Sequence, residues 1–229
     1  MSTTKIKFEK READEKAERE CADFLNRHFW KEIDEGFERV RDKERQQAGI
    51  DLIVGSRINI DEKVKNTGNY GTFTELPSVE ILTTDNATHS YDCTGWFINP
   101  NSRTHLYAFY NVMGCTPTGE IAEVNVFLFK KSDLEDYLGE KCLSRIYDDA
   151  RDLKHNGKMN HKGKITRMID AENKPVWLSY SYKLKEKPVN LVTPMDLLRK
   201  LPNWWEYKVT TTGHESLGKK RHGQICGQQ

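Results

Sequence analysis

The sequence predicts an α/β (α+β) fold in which a mixed, mainly antiparallel sheet is flanked by helices. Three patterns support this prediction. An amphipathic stretch comes first, two long runs of alternating apolar residues lie in the middle of the chain, and a second amphipathic stretch follows them. The chain has 229 residues, which is enough for one well-formed hydrophobic core. We therefore expect a single domain over residues 1–209 and a flexible basic tail over residues 210–229.

The charge balance excludes one broad class of protein. The 36 Lys and Arg residues nearly equal the 35 Asp and Glu residues, which leaves a formal net charge of +1. A globally basic nucleic-acid binder is excluded by this balance, so any attraction to DNA has to come from a local patch.

The distribution of apolar residues and cysteines indicates a cytoplasmic protein with no membrane partner. No apolar run approaches the roughly 20 residues of a membrane span, and the first residues lack the apolar core of a secretory signal. Five scattered cysteines are typical of a reducing compartment. A zinc site built from Cys93, Cys115, His89 and His105 lacks the usual ligand spacing, so we do not expect one.

The first element is predicted as one long helix over residues 8–47. Its apolar residues recur at spacings of three and four, which places them on one face: Ala22, Leu25, Phe29, Ile33, Phe37 and Val40. The charge-dense segment before this stripe, residues 9–20, is typical of a solvated helical end.

A charged hairpin follows, with strands predicted at residues 50–54 and 58–65 around a Gly-Ser turn. Because side chains alternate along a strand, Asp61 and Lys63 project to one face and Glu62 to the other. Together with Asp51, this arrangement brings two carboxylates and an ammonium together. Magnesium takes one or two protein carboxylates and keeps positions for phosphate oxygens. The plain alternative is a salt-bridged surface hairpin.

The remaining elements follow from turn residues and periodicity. Strands are predicted at 72–76, 79–81, 105–112, 122–130, 176–184 and 188–192, and helices at 132–153 and 195–201. Ser132 and Glu135 have the spacing of a capping box for the first of these helices. Glu75 and Glu80, on neighbouring extended segments, are further candidate acids. The chain contains no glycine-rich phosphate loop, so no nucleotide cofactor is expected.

A basic loop at residues 154–164 holds several cations and no acid. Its Lys158, Lys162 and Lys164 are candidates for phosphate contacts, which would make DNA binding depend strongly on salt. The alternative is a mobile surface loop that happens to be basic.

Several short motifs occur in a characteristic order along the chain. They are Gln-x-x-Gly-Ile-Asp ending at Asp51, Ile-Asp-x-Lys ending at Lys63, Thr-Phe-x-x-Glu-Leu ending at Leu76, Gly95-Trp96, and Thr104-x-x-Tyr107. This order resembles uncharacterised bacterial and phage-type members of the PD-(D/E)xK nuclease superfamily. The resemblance implies a restriction-endonuclease-like core with Asp51, Asp61 and Lys63 as catalytic residues. Ile50 stands where the motif has proline.

The resemblance also implies further ligands. It makes Asp51, Asp61 and Glu75 the residues that hold Mg²⁺ or Mn²⁺, and it matches Asp42 and Gln46 to an acid and a glutamine at the end of the first helix. Helical spacing disagrees, because it places Asp42 opposite the apolar stripe. Glu32 lies nearer the border of that stripe. A solvent-facing Asp42 with a capping Gln46 therefore stays open as an alternative.

The function implied by the resemblance is metal-dependent hydrolysis of phosphodiester bonds in DNA by an endonuclease that acts as a homodimer. An alternative is a non-catalytic DNA-binding or interaction protein that keeps the nuclease fold. A third possibility is a purely structural hairpin, which predicts that Asp51 and Asp61 lie too far apart to share one ion.

Overall fold

A computed structural model describes residues 16–65, 76–84, 92–169, 176–184 and 187–220 of the chain. Five helices lie in these ranges. They are α1 (16–33, with a π-helical turn at Asn26–Trp30), α2 (Lys43–Gln47), α3 (Lys131–Leu138), α4 (Glu140–Asn156) and α5 (Met195–Leu198). None of the described helices is both long and apolar enough to cross a membrane.

Twelve strands in the described residues form two sheets. They are β1 (Glu38–Arg39), β2 (Leu52–Val54), β3 (Ile58–Lys65), β4 (Ser78–Thr84), β5 (Asp92–Thr94), β6 (Leu106–Cys115), β7 (Ile121–Lys130), β8 (Ile165–Met168), β9 (Trp177–Tyr180), β10 (Val189–Val192), β11 (Trp204–Thr210) and β12 (Gly213–Lys220). The central sheet has the order β1-β2-β3-β6-β7-β11-β12, and the second sheet has the order β5-β4-β10-β9-β8. All neighbouring strands are antiparallel except β3 and β6, which are parallel. The predicted α+β class with a mixed, mainly antiparallel sheet is confirmed, but it comprises two sheets.

The central sheet separates two hydrophobic clusters. Alternate residues of β6 divide between them: Ala108 and Tyr110 face α1 in the helix-side cluster, whereas Tyr107 and Phe109 join the inter-sheet cluster. The inter-sheet cluster also contains apolar residues of α3, α4 and the second sheet. The two sheets therefore share one core, which holds the open end of β3 close to β4 and β10.

The predicted helix over residues 8–47 is wrong for residues 34–42, because α1 ends at Ile33 and a separate helix, α2, begins at Lys43; residues 8–15 lie outside the described residues. Asp34 leaves the helical conformation, and its side chain accepts hydrogen bonds from the backbone N–H groups of Gly36 (3.1 Å) and Gly55 (2.7 Å). This long-range contact stabilises the turn. Phe37 and Val40, which appeared to continue the apolar stripe, still pack inward although they lie outside the helix.

The predicted helix over residues 132–153 is divided at Gly139, which has a φ of +77° that favours glycine. The predicted capping box is wrong: α3 begins at Lys131, and the cap position, Lys130, makes no side-chain capping bond. Asp133 instead accepts a 2.7 Å hydrogen bond from the backbone N–H of Asn203, which anchors α3 to the turn before β11.

The predicted tail is also corrected, because residues 213–220 form β12 and pair with β11 at the edge of the central sheet. The sequence of β12 is polar and contains Gly218, so it lacks the usual apolar alternation. Gly218 is needed there, since a Cβ atom would lie 2.7 Å from the ring of Trp204. Residues 221–229 lie outside the described residues.

Candidate functional site

A cleft of about 1060 Å³ lies beside β3, where this strand continues past the end of β2. β2 pairs only with residues 58–60, so residues 61–65 contact β6 on one side and residues 62–64 border the cleft. The cleft walls come from α1, from the segment between β1 and β2, and from β4 and β10 of the second sheet. Asp51 and Lys63 line it.

The backbone around α2 determines where Asp51 lies. At the end of α2, Gly49 has a φ of +74°, its N–H donates to Gln46, and the N–H of Ile50 donates to Arg45. These are the two hydrogen bonds of a Schellman motif, which ends a helix and turns the chain sharply. The motif directs the chain into β2 with Asp51 as the last residue before the strand.

Three hydrogen bonds then hold Asp51. Its backbone N–H donates to Ile60 (2.9 Å), its carbonyl accepts from Val40 (3.0 Å), and its side-chain Oδ2 accepts from the backbone N–H of Glu62 (2.9 Å). The carboxylate therefore occupies the edge of β3 at the point where β2 no longer pairs with it.

Asp61 and Lys63 lie on the inter-sheet face of β3, beside Tyr107 and Phe109 of β6 in the parallel register. Lys63 Nζ lies 2.6 Å from Asp61 Oδ1. Asp61 is only 2% exposed, whereas 31% of the Lys63 side chain is exposed. The strand alternation predicted from the sequence therefore puts an ion pair at the cleft, with its acid buried and its base partly open.

Burial determines the protonation behaviour of this group. It raises the pKa of Asp61 to about 6, with the attraction of Lys63 opposing the rise and the nearby Asp51 carboxylate adding to it. Burial likewise raises the pKa of Asp51, against the fields of Lys63 and Arg39. Each aspartate shifts the pKa of the other, so the two carboxylates lie near each other, whereas a purely structural hairpin predicted them far apart.

Lys63 remains an ammonium in this environment. Burial favours its neutral form, but the two aspartates outweigh that effect and raise the pKa of Lys63 above its ordinary value. Its charge also lies in the field of Glu80 on β4. The site therefore combines a positive charge with carboxylates from two sheets.

The second sheet approaches the cleft closely. A Cβ atom on Gly95 would lie 2.4 Å from the backbone oxygen of Glu80, so only glycine fits there. The next residue, Trp96, lines the cleft together with Glu80. Glu80 was a candidate acid from the sequence, but its distance from the hairpin could not be inferred from periodicity.

The opposite face of β3 carries a hydrogen-bonded network that the sequence did not reveal. Glu62 accepts hydrogen bonds from Arg39 and from the Tyr110 hydroxyl, and Arg39 Nε donates to Asn26 Oδ1 at 2.8 Å. Arg39 was assigned to a helix, and Glu62 was treated only as the residue between Asp61 and Lys63. Glu62 and Tyr110 lie on different strands, two positions apart in the register of β3 and β6, so no pattern within either strand could predict their hydrogen bond.

The candidate residues from the first helix are separated by the structure. Asp42 is the N-cap of α2 and accepts from the backbone N–H groups of Glu44 (3.0 Å) and Arg45 (3.3 Å), so it is a solvent-facing cap. Gln46 does line the cleft, where its amide donates to the Val40 carbonyl at 3.1 Å. Glu32 points elsewhere: its Oε2 lies 2.8 Å from Nδ1 of His214 on β12.

Two further sets of candidates lie elsewhere. Glu75 lies outside the described residues. Lys158, Lys162 and Lys164 are exposed in the turn between α4 and β8, at the edge of the second sheet, and do not line the cleft. The basic loop is also shorter than predicted, because α4 continues to Asn156.

No group of three or more His, Cys, Asp and Glu residues in the described ranges is arranged as a ready metal site, and the four described cysteines are free thiols. The aspartate pair nevertheless suits a hard cation, because Asp61 Oδ2 is buried without a hydrogen-bond partner. Magnesium needs only one or two protein carboxylates.

Comparison with protein-family models, curated proteins and solved structures gave no match for this chain. The functional conclusion therefore rests on the geometry of the cleft.

Proposed function

We propose that this protein is a metal-dependent nuclease that hydrolyses phosphodiester bonds in DNA, with a restriction-endonuclease-like core. The observation that carries the proposal is the convergence of Asp51, Asp61 and Lys63 at the cleft beside β3. Two neighbouring carboxylates in a buried position repel each other unless a proton or a cation lies between them. A divalent cation is the partner that also gives this arrangement a chemical use.

Mg²⁺ or Mn²⁺ would be held by Asp51 and Asp61, with Glu80 facing them from the second sheet. Such an ion lowers the pKa of a bound water and stabilises charge on a phosphoryl oxygen. The residues fit this ion because Asp61 Oδ2 is a buried acceptor without a donor, while Asp51 is already oriented by the Glu62 N–H.

Lys63 would stabilise negative charge. Its raised pKa makes it a cation at neutral pH, so it is poorly suited to remove a proton. A positioned ammonium can bind a phosphate oxygen and stabilise the charge that develops there. Because its side chain is 31% exposed, it is accessible to a substrate in the cleft.

DNA is proposed as the substrate because the cleft is open to solvent and contains cations besides Lys63. Arg19 and Arg39 line it with Lys63, against the acids Glu18, Asp51, Glu62 and Glu80, so the bound divalent cation would supply the further positive charge that a phosphate needs. Lys158, Lys162 and Lys164 would extend phosphate contacts away from the cleft. An open cleft admits an internal stretch of DNA, which favours an endonuclease. Cleavage of both strands of a duplex would need two active sites, which favours a homodimer. We place this enzyme in the cytoplasm.

Calorimetric titration of Mg²⁺ and Mn²⁺, with a plasmid-nicking assay on the same samples, tests the proposal. We expect the wild type to bind the cation and nick the plasmid, and Asp61→Asn to lose both. Asp196→Asn is the control, since it removes one carboxylate at a site that is 90% exposed and outside the cleft. Its binding and nicking should equal those of the wild type.

A wild-type protein that binds no divalent cation, even with DNA present, would contradict the catalytic proposal. A gel-shift assay with the same DNA then decides whether the chain is a non-catalytic DNA-binding protein. Retention of DNA without nicking would support that alternative.

A further inference from the structure

Two buried polar atoms on the inter-sheet face of β3 and β6 have no hydrogen-bond partner among the described residues. They are Asp61 Oδ2 and the Tyr107 hydroxyl. The two residues are neighbours in the parallel register of β3 and β6, on the same face of the sheet, and are only 2% and 1% exposed. Buried polar atoms in folded proteins nearly always have a partner, so two unpaired atoms on neighbouring strand positions indicate a bound group that the described residues do not supply.

The two atoms are chemically complementary. Burial, followed by the negative fields of Asp61, Glu135 and Glu80, raises the pKa of Tyr107 well above its ordinary value. The side chain is therefore a neutral phenol that can donate a hydrogen bond, and Asp61 Oδ2 can accept one. They do not bond directly to each other, but one water molecule can accept from the hydroxyl and donate to the carboxylate.

The Tyr107 hydroxyl is also held in place. Its ring stacks on Phe129 with centroids 5.5 Å apart and lies 6.3 Å from the Phe97 ring. Both neighbours belong to the inter-sheet cluster and are 1% exposed. This packing fixes the ring, and with it the position of the hydroxyl, which lies in the field of Asp61, Glu135 and Glu80.

We propose that Tyr107 is a positioning residue of the cleft, whose hydroxyl donates to a water shared with Asp61 Oδ2. In the nuclease proposed above, on which this second step rests, that water belongs to the hydration shell of the bound cation. Magnesium keeps several of its waters when it binds to proteins, so a protein donor or acceptor beyond the carboxylates helps to orient them.

The bridge to water is tested without any cation by urea unfolding of Asp61→Asn, Tyr107→Phe and the double variant. If one water joins the two side chains, their effects on the unfolding equilibrium constant should be non-additive by about fivefold or more. Additive effects would overturn the bridge. This result does not depend on whether the protein is a nuclease.

The role towards the cation is tested by calorimetric titration of Mg²⁺ into Tyr107→Phe. We expect the Kd to rise by about fivefold to tenfold, because the variant removes the hydroxyl that orients a water of the bound cation. Tyr147→Phe is the control: it also removes a phenol that packs on the inter-sheet cluster, but outside the cleft.

The outcomes separate the two proposals. A wild type that binds Mg²⁺ together with a Tyr107→Phe variant of unchanged Kd would overturn the role towards the cation and leave the proposed function intact. A wild type that binds no Mg²⁺ would contradict the proposed function, and the unfolding cycle alone would then decide whether the shared water exists.

Discussion

The two faces of β3 use the same kinds of residue in opposite ways. On the helix side, Glu62 is paired with Arg39 and Tyr110, and Arg39 is held in turn by Asn26. On the inter-sheet side, Asp61 has one oxygen paired with Lys63, its other oxygen is unpaired, and Asp51 lies beside it. Both oxygens of Glu62 are therefore paired, although Arg39 Nη2 is buried without a partner among the described residues, whereas the inter-sheet face leaves a carboxylate oxygen without a donating group.

This difference separates stability from function within one strand. A buried ion pair with its hydrogen bonds satisfied holds its elements in place, and removing one partner leaves an uncompensated charge. A buried carboxylate pair lowers stability until a ligand arrives, which is how binding sites are commonly built. The network on the helix side keeps β3 and the Glu62 N–H in position, and this N–H orients Asp51 in the cleft.

The largest expected effect comes from breaking the ion pair between Glu62 and Arg39. Glu62→Ala leaves Arg39 without its buried partner. In this pair, the Glu62 side chain is 9% exposed and the Arg39 side chain 21%. We expect the free energy of unfolding to fall by about 3 to 5 kcal/mol, measured by urea denaturation. Glu120→Ala, at an exposed turn, is the control and should change little. A loss below about 1 kcal/mol would show that the network is worth no more than a surface pair.

On the inter-sheet face of β3, replacing Asp61 should raise the free energy of unfolding at neutral pH, whereas replacing Glu62 lowers it. Because the folded protein binds the Asp61 proton more tightly than the unfolded chain does, this group's contribution to stability is present below pH 3.8 and is lost as the pH rises through about 6. Asp61→Asn cannot ionise. Its stability relative to the wild type should therefore increase by on the order of 3 kcal/mol between about pH 4 and pH 7.

Urea denaturation of both proteins across this pH range measures the difference. Added Mg²⁺ should abolish the stability difference between the two proteins at neutral pH, since a cation that binds only the folded wild type raises its stability. A stability difference that stays constant with pH would show that Asp61 ionises normally in the folded protein.

Much of the hairpin followed from the sequence, because its signals are local. Strand alternation predicted the bounds of β3 and placed Asp61 and Lys63 on one face. The Gly in Gln-x-x-Gly-Ile-Asp marks a helix end that local hydrogen bonds complete. Such features depend on residues a few positions apart, so a single sequence contains them.

What the sequence did not predict depends on contacts between distant segments. The end of α1 at Ile33 is stabilised by a hydrogen bond that the Asp34 side chain accepts from the Gly55 N–H, and no local pattern predicts that contact. The same holds for Arg39 with Glu62, and for Glu80 facing Lys63 from a separate sheet. Periodicity places a side chain on a face of its own element, but it does not say which element lies opposite.

The smallest expected effect concerns Gly49, whose Schellman motif places Asp51 at the cleft. Gly49→Ala combines a left-handed φ of +74° with a Cβ atom 2.5 Å from Thr104 Oγ1, and this hydroxyl donates to the Gly49 carbonyl. We expect the free energy of unfolding to fall by about 2 kcal/mol and the Kd for Mg²⁺ to rise. Urea denaturation and calorimetry measure the two quantities.

Gly119→Ala provides a matched control for this variant. Gly119 has a φ of +88°, but nothing lies within 4 Å of an added Cβ, so its substitution carries the conformational cost without the clash. It should lower stability by about 1 kcal/mol and leave the Kd unchanged. If both variants lose the same stability and neither alters cation binding, the contact between Gly49 and Thr104 does not position Asp51. The orientation of the Asp51 carboxylate would then depend on the Glu62 N–H alone.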